Sequence, residues 1–278
     1  MVETVIPKQV VPSPDLAPVL FIPHGGGPLP LLGEPGHRQL CAFLRSIASR
    51  LGRPAAIVLV SAHWEAPQAT VTGASHPELI YDYNGFPAES YSLKYPAKGS
   101  PALAHDVRQL LNDAGISALI DPARGYDHGM FVPLTLMYPA ADIPCIQLSL
   151  LDSLDPAAHI ALGRALAVLR EKNVVVIGSG SSFHNLQAFS YADAIARAVA
   201  FDDWLVATCT DKALSSVERE TRLLNWSSAP QGRFSHPREE HLLPLHVCYG
   251  VAAEHSSAAE LVFNDDMMGI RVSGLLWR

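Results

Sequence analysis

The chain has 278 residues, 49% of them hydrophobic, and a formal net charge of −7 from 20 basic and 27 acidic side chains. That apolar share supports a sizeable core and is too high for a disordered chain. With no basic run and no interleaving of basic and aromatic residues, the composition excludes nucleic acid and anionic membrane surfaces as expected partners. No apolar stretch reaches the roughly 20 residues of a membrane span, and the Pro-rich residues 1–17 have no apolar core of a signal peptide. Cys41, Cys145, Cys209 and Cys248 lie far apart with no CxxC pair, which reads as reduced core thiols and a cytoplasmic setting.

Residues 1–16 read as a flexible N-terminal tail and 17–278 as one domain. A first strand over 18–23 runs into His24 and three glycines, and a helix over 36–51 closes at Gly52. Residues 55–65 organise the rest. A β-branched apolar run there predicts a strand buried on both faces, and it switches abruptly to His63, Trp64 and Glu65. A strand follows over 68–72, then a long aromatic loop from Tyr81 to Tyr95, of a length that is usually functional. Ser100 and Pro101 open a helix reaching Gly115. A strand at 116–120, a turn-like or helical piece at 131–138 and a strand at 143–150 come next. Asp155 opens a helix ending near Lys172, and a third buried strand, 174–180, leads to His184. A helix over 191–212 and a mixed segment over 213–235 follow. Pro244 is tolerated only in the first turn of the next helix, so Glu240 and His241 stand at or before its N-terminus. Residues 269–277 read as a closing edge strand. The alternation predicts an α/β domain with a central mixed or parallel sheet and helices on both faces.

Twelve histidines are many for this length. His37, His105, His159 and His255 read as surface residues of helix faces or ends, His76 and His236 as solvated residues before prolines, and His246 as a core histidine. His24, His63, His128, His184 and His241 differ, because each stands at a strand end or loop beside glycine, proline or acid. Ligands of open α/β sheets bind beyond the carboxyl ends of the strands, and imidazole suits Zn²⁺ or Fe²⁺ in an open three-ligand site. A serine nucleophile is disfavoured, since Gly178-Ser179-Gly180 is not a GxSxG elbow. The glycines after His24 lack a phosphate-binding pattern and read as close packing under a ligand.

Taken together, several blocks resemble the class III extradiol ring-cleavage dioxygenases, the LigB-like superfamily, in its single-chain 4,5-DOPA dioxygenase branch. They are Pro23-His24-Gly25, Ser61-Ala62-His63-Trp64, Gly85-Phe86-Pro87, Tyr95-Pro96-Ala97-Lys98-Gly99, Gly125-Tyr126-Asp127-His128-Gly129, Phe183-His184-Asn185 and Glu240-His241-Leu242-Leu243-Pro244, spread over residues 17–253. The resemblance implies that 17–278 is a catalytic domain with a mononuclear Fe(II) site, which Zn(II) can take over on purification. Its implied substrates are O₂ and a catechol-type small molecule, DOPA or a relative. It carries the metal ligands onto His24, His63 and His241, with Glu240 in reserve. Proton transfer falls mainly to His184, which the resemblance also allows as an extra metal ligand, and stabilisation of bound oxygen or substrate anion to His128. Tyr126 and Asn185 are expected substrate contacts, with Phe86 and Tyr91 of the aromatic loop beside them. The family's His-Gly-Ser-Pro is here His24-Gly25-Gly26-Gly27-Pro28, which removes a hydroxyl beside the metal and leaves DOPA, another catechol or an aminophenol open. Two other readings of the same histidines are a zinc hydrolase with His184 or Glu65 as base and a non-catalytic, Memo-like binding protein. Monomer and homodimer are both compatible with the sequence.

Overall fold

Three apolar runs far apart in sequence lie side by side at the middle of one sheet: β1 (Val19–Pro23), β2 (Ala56–Ala66) and β6 (Val174–Gly180). The computed structural model describes residues 16–188, 191–255 and 258–278, so the expected tail lies outside the described residues apart from Leu16. The other strands are β3 (Ala69–Thr72), β4 (Ala118–Asp121), β5 (Cys145–Leu151), β7 (Glu260–Met267) and β8 (Ile270–Trp277). The order is β4-β3-β5-β2-β6-β1-β8-β7. From β5 to β1 the neighbours are parallel, and β8 and β7 continue the sheet antiparallel. At the other side β3 pairs antiparallel with β5 through Val71 and Leu148, and β4 runs parallel to β3.

Both faces are buried, as continuous apolar runs require. On one face Phe21, Val58, Val60 and Val176 pack under α2 (Pro101–Asp113), α4 (Pro156–Leu166) and α8 (Leu243–Ala252). On the other, Leu20, Ile22, Leu59 and Ile177 pack under α1 (Arg38–Leu51) and α3 (His128–Met137). The remaining helices are α5 (Ala194–Thr210), α6 (Ser216–Leu224) and α7 (Gly232–Ser235). The predicted caps are in place. Ser100 Oγ accepts from the Leu103 amide at 3.3 Å, and Asp155 accepts from Ala157 and Ala158 at 2.7 and 3.2 Å.

Four expectations need correction. Strand β2 does not stop at His63 but runs to Ala66, with its register against β5 shifting between Val60 and Glu65, so His63 sits in a bulge. Strand β8 is interior, because β7 pairs along its outer side. The helix after Asp155 ends at Leu166 and continues as a 3₁₀ turn to Lys172. Helix α3 begins at His128 rather than 131. Among the described residues no helix is long and apolar enough to cross a membrane, and all four cysteines are buried and free.

Candidate metal centre

The five singled-out histidines meet at the carboxyl edge of the three central strands. His24 follows β1, His63 occupies the bulge of β2, and His184 follows β6 by four residues. His128 is the first residue of α3, and His241 precedes α8 by two, as Pro244 near the helix start requires. The Nε2 atoms of His24 and His63 are 2.9 Å apart. The ring of His241 lies 5.3 Å from that of His24 and 4.9 Å from that of His63, centre to centre. His128 is 3.9 Å from His63, and His184 lies flat on His241 at 3.4 Å. Two donor groups result, each with ligand atoms within 4.8 Å of one another: His24, His63 and His128, and His184, Glu240 and His241.

Four of the five rings face a serine or carboxylate oxygen through Nδ1, while His63 Nδ1 stands 3.8 Å from Asp82. Ser179 Oγ donates to the Gly129 carbonyl, so it can only accept from His24 Nδ1, 3.1 Å away. That places the proton of His24 on Nδ1 and leaves the Nε2 lone pair facing the cluster. Glu240 Oε1 lies 3.0 Å from His241 Nδ1 and 3.3 Å from His184 Nδ1, and Asp82 Oδ2 lies 2.9 Å from His128 Nδ1. Carboxylate or hydroxyl partners behind imidazoles are the usual way of fixing tautomer and raising basicity in metal sites.

Burial keeps the His24, His63 and His241 rings neutral. His24 and His63 titrate well below 6.5, first because burial penalises their charged forms and then because neighbouring histidines repel a proton. His241 is pulled down to about 4, again chiefly by burial, with the Glu240 hydrogen bond opposing. Burial pushes the Glu240 carboxyl up, but hydrogen bonds from His184 and His241 prevail and hold it well below the usual carboxylate range. Neutral imidazoles with inward lone pairs, backed by anions, are suited to a divalent cation.

Two glycines make the convergence possible. A Cβ on Gly180 would stand 2.1 Å from the His241 carbonyl oxygen, so only glycine lets the loop carrying His241 lie on β6. A Cβ on Gly129 would meet Ser61 Oγ at 2.5 Å and His63 Cδ2 at 3.1 Å. Beneath them Asp127 is fully buried and is held by Ser61 at 2.8 Å, by Gln147 and by Arg124 at 3.1 Å.

A cavity of about 350 Å³ opens from the five histidines. Phe86 and Asn185 line it as expected, although both ends of the Asn185 amide are engaged, donating to Phe234 O at 2.6 Å and accepting from Gln187 N at 3.0 Å. Tyr126 is a correction. It is fully buried, donates its hydroxyl to the Cys145 carbonyl at 2.7 Å, and does not line the cavity. Tyr91 packs outside against Tyr81 and Tyr83. Glu65, weighed as a hydrolytic base, is gripped at both oxygens by Arg238, at 2.5 and 2.6 Å.

Three histidines expected at the surface are buried. His37 accepts from the Gly26 amide at 3.0 Å, His159 from the Leu151 amide at 3.1 Å, and His236 lies 3.0 Å from the Ser182 carbonyl. Asp82 and Ser179, which orient catalytic and ligand candidates, were not anticipated. Asp82 stands in the aromatic loop already marked as functional, whereas Ser179 had no signal beyond lying between two glycines.

A histidine-rich, carboxylate-backed centre at the carboxyl edge of an α/β sheet defines a metal-dependent enzyme. Residues 19–272 match the family described as the catalytic LigB subunit of aromatic ring-opening dioxygenase, and the chain belongs to that family of extradiol ring-cleavage dioxygenases. It is 41% identical to 4,5-DOPA dioxygenase extradiol of Beta vulgaris over 260 residues, covering 91% of this chain and 93% of that one. It is 39% identical to Dioxygenase tasH of Hapsidospora irregularis over 282 residues, covering 94% and 86%. A crystal structure of an uncharacterized Escherichia coli K12 protein superposes with a TM-score of 0.75 at 31% identity, covering 94% of this chain and all of the other.

Proposed function

We propose that the protein is a non-haem Fe(II)-dependent extradiol dioxygenase that opens a catechol ring beside its two hydroxyls. The carrying observation is the meeting of His24 and His63 Nε2 at 2.9 Å, with the rings of His128 and His241 both packed against the pair. Two imidazole nitrogens that close need a proton or a cation between them; with the proton of His24 on its other nitrogen, its Nε2 lone pair is open to the His63 N–H or to a cation that both rings face. His24, His63 and His241 would hold the iron, and Glu240 would keep His241 aimed. Bound there, iron would supply the Lewis-acidic, redox-active centre at which catechol oxygens and O₂ meet.

The remaining residues handle protons and geometry. His184, at the cavity wall with Nδ1 against Glu240, takes the hydroxyl proton that catechol gives up on binding. His128, tied to Asp82 through Nδ1, turns Nε2 to the substrate anion and the oxygen beside it. The reaction adds both atoms of O₂ across the broken carbon–carbon bond, giving a semialdehyde and a carboxylate with no external reductant. DOPA enters as a candidate through the name of the Beta vulgaris relative. Free buried thiols fit a reducing compartment such as the cytoplasm. The hydrolase alternative with Glu65 as base loses support, because Arg238 occupies that carboxylate.

The test is anaerobic loading with Fe²⁺ followed by O₂ uptake and a product absorbance scan on a catechol panel, with His63→Ala beside the parent. Uptake that requires both iron and His63 supports the reading, and a fully loaded enzyme consuming no O₂ with any catechol or aminophenol overturns it.

A further inference from the structure

The cavity has two unlike ends. Its floor is the histidine cluster, while its outer wall is Leu29, Phe86, Phe183, Met268, Ile270 and Val272. Among the described residues, no Lys, Arg, Asp or Glu side chain lines it. The nearby charges are spent elsewhere: Asp82 on His128, Glu240 on His184 and His241, and Arg238 on Glu65. From this we infer that the natural substrate is a catechol whose ring substituent is uncharged and apolar, rather than an amino acid such as DOPA.

The inference rests on the ring-opening reading and specifies its substrate. With its two hydroxyls at the histidine floor, a catechol must direct its substituent toward the wall. An ammonium or carboxylate there gives up water and meets no counter-charge, whereas an alkyl or aryl group gains by burial. The turn that carries Met268 is braced against the glycine loop. The tight β7–β8 turn places Met268 (φ 54°) and Gly269 (φ 82°) over the glycine loop, and the Met268 amide donates to the Gly36 carbonyl at 3.0 Å. Met268 Sδ lies 3.5 Å from the point where a Cβ on Gly26 would stand. The cavity volume of about 350 Å³ falls in the range of sites that enclose most of a small organic ligand.

The test compares 4-propylcatechol, unsubstituted catechol, L-DOPA, dihydrocaffeate and dopamine on the Fe²⁺-loaded enzyme. Affinity is measured under argon by calorimetry, and kcat/KM in air. The expected result is a preference for 4-propylcatechol over L-DOPA of about tenfold or more in both measurements. In Met268→Arg, which sets a cation on an exposed part of the wall, the preference for 4-propylcatechol over dihydrocaffeate should fall about tenfold. Charged catechols that bind as tightly as 4-propylcatechol overturn the inference, whatever the turnover. Selective binding of 4-propylcatechol under argon with no O₂ uptake on any substrate would leave the substituent preference standing and overturn the dioxygenase reading instead.

Discussion

The hydroxyl of Ser179 donates to the carbonyl of Gly129, a bond that helix α3 itself cannot make. Four residues on from Gly129 stands Pro133, which has no amide hydrogen to offer. The freed carbonyl orients the serine, the serine accepts from His24 Nδ1, and His24 thereby presents Nε2 to the cluster. In Ser179→Ala the tautomer of His24 is no longer specified, and a buried carbonyl is left unpaired. Metal affinity should fall about 10- to 100-fold, read by competition with a chelator, with unfolding easier by about 1–3 kcal/mol. Unchanged affinity would show that Ser179 does not orient the ligand.

His241 and His128 both lie within reach of His63, yet they are assigned different tasks. His241→Ala should abolish stoichiometric iron binding. His128→Ala should retain the metal and lose about 10²- to 10⁴-fold in kcat. Metal analysis after gel filtration, paired with O₂ uptake, separates them. Retention by His241→Ala together with loss by His128→Ala would move the third ligand to His128.

Gly180→Ala puts a methyl group 2.1 Å from the His241 carbonyl oxygen. The loop before α8 must then lift from β6, which is expected to cost about 1–3 kcal/mol and to weaken iron binding in the same variant. Urea unfolding with and without iron measures both effects. A variant that is destabilised but binds iron normally would show that the loop can shift without carrying His241 along.

Acid should unfold the protein through its buried neutral histidines. Burial lowers His159 from 6.5 to about 4 and His236 to about 3, and lowers His246 as well. In His159, Nε2 accepts from the Leu151 amide and Nδ1 donates to the Asp155 carbonyl at 2.7 Å, a pair that only the neutral ring can make. Below 6.5 the unfolded chain binds a proton that the folded chain refuses, so stability falls as pH drops from 6.5 to about 4 and the loss is complete below that. For His159 this amounts to about 3 kcal/mol. His159→Gln, with one amide acceptor and one donor, should flatten the pH dependence over that window by up to about one proton, as read from urea midpoints at several pH values.

The sequence made the centre of this structure readable and its periphery less so. Strands β1, β2 and β6 announce themselves because burial on both faces demands unbroken apolar runs, and an imidazole at the end of each run stands out against them. Pro244 placed His241 correctly, because proline restricts the helix around it whatever the tertiary context. Strand β7 was missed because Glu260–Met267 mixes polar and apolar residues without a clean alternation and lies at the sheet edge, and its turn, Met268-Gly269, lacks the Asn-Gly or Asp-Gly signal of a tight hairpin. His37, His159 and His236 were misplaced for a common reason. Hydrogen bonding can bury a histidine completely: His37 pairs with Glu34 and the Gly26 amide, His159 with the Asp155 carbonyl and the Leu151 amide, and His236 reaches the Ser182 carbonyl far along the chain. Tyr126 was drawn toward the substrate by its neighbours in the motif, although its hydroxyl serves the core.

The three central strands are adjacent in space but come from residues near 20, 60 and 177 of the chain. A fragment ending before β6 has lost the strand that separates β1 from β2, so His24 and His63 no longer share a floor. A metal ion shared by His24 and His63 should therefore arrive after long-range strand pairing is complete. Metal capture should then trail the slow phase of refolding and never accelerate it, making bound metal a reporter of the finished sheet.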